Sequence, residues 1–119
     1  MIHIKDSLVL VSLFQVKYDT TLVNILTELD IKYPDHVVIT CGYRKGDKGV
    51  HGSIPCRGVD IRSWVFKNPV SVCNYINSNW EYDFNRPEKF VALLHTAGSG
   101  THIHLQTHPN TRRRLQWAI

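Results

Sequence analysis

The sequence predicts a single α+β domain spanning residues 1–119. Short β-branched or alternating runs recur along the chain, two segments carry apolar residues at helical spacing, and no internal repeat or linker divides them. Leu8 to Val16 is rich in Val and Leu and reads as a strand or buried extended segment, with a short helix left open by the pattern. Leu22, Ile25, Leu26 and Leu29 then repeat at helical spacing behind the capping candidates Asp19 and Thr20, and Tyr33-Pro34 marks the end. Val37 to Thr40 suits a buried strand, and Gly42 to Gly49 is a polar loop.

Beyond a second loop, Gly58-Val59-Asp60-Ile61-Arg62 alternates as a strand does. Asn68-Pro69 combines an N-cap with a favoured first-turn proline, and Cys73, Ile76 and Trp80 share a helical face after it. Phe90 to Leu94 is another apolar strand, and Ala97-Gly98-Ser99-Gly100 is a turn. In His102-Ile103-His104-Leu105-Gln106 the period of two sends both histidines to one side and Ile103 with Leu105 to the other.

Composition narrows the class. At 43% hydrophobic and 20% charged the chain is globular rather than disordered, and its apolar runs fall far short of the roughly 20 residues of a membrane-spanning helix. Lys5 is followed at once by Asp6 and the apolar run stops at Gln15, so no signal peptide is expected and synthesis in the cytoplasm follows. Cys41, Cys56 and Cys73 lack CxxC spacing and read as free thiols. The net charge of +4 draws heavily on Arg112-Arg113-Arg114, a run compatible with nucleic acid, a cell-wall polymer or plain solvated surface. There is no G-x-S-x-G elbow and no Gly-rich phosphate loop.

Polar residues collect at the ends of the expected strands, in Arg44 to His51, Cys56 to Asp60 and His95 to His104. A catalytic zinc site takes three protein ligands and keeps an open position, and His51, Asp60 and His104 supply such a set. A thiolate site of Cys41, Cys56 and His51 is the weaker alternative, because Cys41 should alternate into the core and Cys56 should pack within its loop.

His51, Gly58-Val59-Asp60 and His102-Ile103-His104, preceded by Ile39-Thr40-Cys41-Gly42-Tyr43-Arg44, resemble the zinc D-alanyl-D-alanine carboxypeptidases and phage endolysin-type peptidases of family M15, over roughly Leu22 to Thr107. The resemblance implies a hedgehog/DD-peptidase-like fold, a small antiparallel sheet with helices packed on one face. It also implies Zn2+ on His51, Asp60 and His104, and Arg44 over the site binding a substrate carboxylate or the developing oxyanion, as a guanidinium fork is suited to do. The implied activity is hydrolysis of peptidoglycan stem peptides by a phage or prophage enzyme acting at the cell wall or in the phage particle, with other phage proteins as further partners.

Two departures accompany the match. His51 and Asp60 lie further apart than is usual in the family, with Pro55 and Cys56 between them, and Thr101 stands where the family places its catalytic Glu. Threonine is no general base at neutral pH, so His102, or else His95, is expected to move the proton. Without such a base the chain becomes a non-catalytic structural or cell-wall-binding module of the same fold. His102-Ile103-His104 also resembles the metal-binding strand of replication-initiator nucleases, but no tyrosine follows His104 to act as their nucleophile.

Overall fold

A computed structural model describes residues 1–97 and 100–115. The elements are β1 (His3–Ile4), α1 (Ser7–Gln15), α2 (Thr20–Lys32), β2 (Val38–Cys41), a one-turn 3₁₀ helix (Val50–Gly52), β3 (Gly58–Arg62), α3 (Pro69–Asn79), β4 (Trp80–Glu81), β5 (Ala92–Ala97), β6 (Gly100–Gln106) and β7 (Arg112–Arg113). The fold is α+β: a five-stranded sheet in the order β1-β2-β3-β6-β5, three helices, and a separate β4-β7 pair. The main sheet is mixed rather than antiparallel throughout, because β1 runs parallel to β2 while the other neighbours are antiparallel.

One face of the sheet is the core. Ile39, Val59, Ile61, Ile103 and Leu105 are buried there in one cluster with Leu22, Ile25, Leu26 and Leu29 of α2 and Val72, Cys73 and Ile76 of α3. Complete burial of side chains such as Ile61 and Ile103 contributes about 1.5–3 kcal/mol each. Asp19 caps α2 by accepting from the Leu22 amide, and its carboxylate also accepts from Arg57 at 3.0 Å and Thr107 at 2.8 Å, tying the helix to β3 and β6. Asn68 caps α3, with Pro69 in its first turn. From the other end of α3, Asn77 bonds both the amide and the carbonyl of Ala92 at 2.9 Å, holding the helix against β5.

The segment expected to be extended, Leu8 to Val16, is instead helix α1. Asp6 caps it through the Val9 amide, and only Val9 and Ser12 are buried, with Phe14 left 83% exposed. Its apolar residues surround the helix instead of lining one face, so the run carried no clear period. The turn expected at Ala97 to Gly100 includes Gly98 and Ser99, which lie outside the described residues. Asp83 orders its loop by accepting from the Asn85 amide and Asn110, and His108 Nε2 lies 3.8 Å from its Oδ2.

Candidate metal centre

The polar face of the sheet carries the site. Asp60 faces His104 and Arg62 faces His102 across β3 and β6, while His95 faces His102 and Leu93 faces His104 across β5 and β6. Ile103 and Leu105 are buried on the core side, so the expected division of the His102 to Gln106 segment is observed.

His51 arrives from the loop between β2 and β3. Its carbonyl accepts from the Arg44 amide at 2.8 Å, and a Cβ at Gly52 would lie 1.9 Å from the Asp47 carbonyl oxygen. Only glycine permits that approach of the two loop segments. A Cβ at Gly58 would likewise meet Val50 Cγ2 at 2.5 Å, so β3 passes directly beneath the turn that presents His51. Cys56 is fully buried in this loop and its thiol faces the Gly58 carbonyl at 3.3 Å, which is the packing role expected of it.

Three imidazoles surround one carboxylate. His51 Nε2 lies 3.2 Å and His104 Nδ1 2.9 Å from Asp60 Oδ1, and His102 Nε2 lies 3.5 Å from Asp60 Oδ2. The set predicted as ligands, His51, Asp60 and His104, is thus brought together. No Lys or Arg pairs with Asp60 among the described residues, and Arg57 is turned to Asp19. Around this cluster, His51 Nδ1 donates to the Gly42 carbonyl at 2.9 Å, and His104 Nε2 lies 3.2 Å from Gln106 Oε1, whose amide nitrogen donates to the Phe90 carbonyl. Such outer contacts fix ring orientation at metal sites.

The electrostatics follow from burial and proximity. Burial opposes the charge on His51, which is 5% exposed, but the Asp60 carboxylate together with Cys41 and the Gly42 carbonyl overcomes it and raises the pKa to about 10. Burial also opposes ionisation of Asp60, but His104 and His51 hold its carboxyl well below the usual carboxylate range. Burial pushes His102 downward, and Asp60 offsets this only in part. Asp60 is therefore a buried, ionised carboxylate, while the His102 ring is shifted toward its neutral form.

Cys41 departs from expectation. Between Ile39 and Cys41 the register of β2 against β3 shifts, so that Ile39 pairs with Ile61 and Cys41 already pairs with Asp60. The extra residue breaks the alternation that would have sent Cys41 into the core. Cys41 Sγ lies 3.9 Å from His51 Nδ1, and Cys41, His51 and Asp60 offer ligand atoms all within 4.8 Å of one another, a group that could hold a metal ion. Cys56 is not part of it.

A cavity of about 300 Å³ opens over the cluster, lined by Arg44, Leu93, His95 and Gln106 as well as His51, Asp60, His102 and His104. Arg44 stands at its exposed rim, 3.2 Å from Asp47. His95 Nδ1 lies 3.4 Å from His102 Nε2, so the two residues considered as proton carriers are neighbours. Thr101 is exposed and bonded to Thr96 at 2.9 Å. Gln106 and Leu93 went unrecognised in the sequence, although Gln106 continues the i, i+2 series begun by His102 and His104. The arginine run is not a free basic patch: Arg112 and Arg114 face Glu81, and Arg113 faces Glu28 and stacks over Trp80. No helix among the described residues is long and apolar enough to cross a membrane.

The chain matches no family model, no curated protein and no solved structure.

Proposed function

We propose that the chain is a zinc peptidase of the M15 type, with a hedgehog/DD-peptidase-like fold, acting on peptide stems of the bacterial cell wall and of phage or prophage origin. The observation that carries this reading is the convergence of His51 Nε2, Asp60 Oδ1 and His104 Nδ1 beneath an open cavity of about 300 Å³. Two nitrogens and a carboxylate oxygen suit zinc, and their outer contacts to Gly42 and Gln106 resemble the support found around metal-binding histidines.

Zinc held by these residues supplies Lewis acidity toward a peptide carbonyl and lowers the pKa of water. The chain's own groups do the rest. Arg44 reaches a substrate carboxylate or the developing oxyanion from the rim with paired N–H donors. His102, whose pKa burial lowers, accepts the proton of the attacking water at Nε2, and His95 Nδ1 lies 3.4 Å from that nitrogen. Leu93 provides an apolar wall for the chain of the substrate.

A second reading, a non-catalytic module of a phage particle, is favoured by one observation: Thr101 replaces the family's Glu and turns its hydroxyl to Thr96. The nuclease reading loses its basic surface, since the three arginines of the C-terminal run face Glu28 and Glu81. The deciding experiment incubates zinc-loaded protein with purified cell-wall fragments and follows released peptides by chromatography. The peptidase reading expects release that falls about 100-fold or more in His102→Gln. Binding without release in the parent, with release gained in Thr101→Glu, establishes the non-catalytic module.

A further inference from the structure

The open face of the sheet extends past the metal centre. A second cavity of about 290 Å³ lies beside the first, lined by Lys5, Thr40, Arg62, Trp64, Gly100, Thr101 and His102, so that His102 is the wall between the two. Arg62 is the cross-strand partner of His102 and sits two residues along β3 from Asp60, which places it about 7 Å from the ligand cluster.

This second cavity is electropositive. Arg44, Arg57, Arg112, Arg113 and Arg114 each face a carboxylate, whereas Lys5 and Arg62, like Arg86 elsewhere, have none within ion-pair distance among the described residues. Arg62 instead lies 4.9 Å over the ring of Trp64, which is itself 74% exposed. A guanidinium stacked on an indole has its plane fixed while its N–H edge stays open, the arrangement suited to a bidentate oxyanion.

We propose that this cavity is a carboxylate subsite for the substrate, resting on the peptidase reading above. Arg62 and Lys5 take an acidic side chain carried about two residues from the scissile bond, since an extended peptide advances about 3.3 Å per residue and the separation is about 7 Å. Trp64 covers the aliphatic part of the same residue. The subsite selects acidic stem peptides and sets their register over Asp60 and His104.

The test compares, by titration calorimetry, two stem peptides identical except that one glutamyl carboxylate is free in the first and amidated in the second. The parent is expected to favour the free carboxylate about tenfold or more, as a charge-assisted pair warrants. Arg62→Ala should abolish that preference, Arg62→Lys should restore part of it, and Lys5→Ala should reduce it about threefold. The preference should persist in His104→Ala, since no residue of the subsite is a proposed zinc ligand. Equal affinity for the two peptides in the parent, no binding of either, or a preference that survives Arg62→Ala overturns the proposal. So does inorganic phosphate, or a single-stranded oligonucleotide, that binds as tightly as the acidic peptide and depends on Arg62. Zinc content is measured on the same samples: zinc without the preference removes only the subsite, and the preference without zinc or hydrolysis removes only the peptidase.

Discussion

The two faces of β3 and β6 use the same strands for opposite purposes. Val59, Ile61, Ile103 and Leu105 are wholly buried on one side, and His102 and His104 gather around the Asp60 carboxylate on the other. Because the side-chain period is two, a slip of one residue would bury Asp60, His102 and His104 and expose the core, so the apolar face fixes the register on which the polar face depends. Stability and chemistry thus separate by face, and each can be disturbed alone.

The largest expected effect is on the core face. Ile103→Ala should lower unfolding free energy by about 2–5 kcal/mol in urea titrations while the zinc affinity of the folded fraction matches the parent's, because the lost methyl groups leave a cavity behind the site rather than within it.

Next comes Asp60→Asn, which should abolish metal binding and cost the metal-free protein about 1.5–3 kcal/mol at pH 6, through loss of charged hydrogen bonds to His51 and His104. The pH dependence has a definite sign. Asp60 has a lowered pKa, so its contribution is present above its unfolded value of 3.8 and fades as acid titrates the folded carboxylate. His51 has a raised pKa, so its contribution is full below 6.5 and is lost as pH climbs through about 10. The margin of parent over Asp60→Asn in zinc-free urea unfolding should therefore be greatest between pH 3.8 and 6.5 and shrink on both sides.

A smaller effect is expected from Gln106→Ala, which removes the oxygen facing His104 Nε2 and should weaken zinc affinity about tenfold in competition with a chelator, with little change in stability. Smallest of all, Arg112→Ala breaks a pair with the half-buried Glu81, which Arg114 also faces, and should move stability by no more than about 1 kcal/mol in the same urea assay, leaving zinc untouched.

The contrast between faces also explains what the sequence disclosed. Alternation in Gly58 to Arg62 and His102 to Gln106 is local, so the strands and the facing of Asp60, His102 and His104 could be read directly. The caps Asp19 and Asn68 announced α2 and α3 for the same reason. Helix α1 was obscured because its apolar residues encircle it, although Asp6 three positions before Val9 was a usable cap signal. Cys41 was misplaced because a register shift has no mark in the sequence. The pairing of the arginine run with Glu28 and Glu81 is tertiary, and β1, only two residues long, gains its place by pairing with β2.

In the function proposed above, the polar face holds zinc through His51, Asp60 and His104. The most direct test is zinc content by elemental analysis of the parent, His104→Ala and Cys41→Ala proteins after reconstitution and removal of free metal. One zinc per chain is expected in the parent and in Cys41→Ala, and none in His104→Ala. Zinc retained by His104→Ala and lost from Cys41→Ala would place the ion in the Cys41, His51 and Asp60 group instead, and no zinc in any of the three would contradict the account outright.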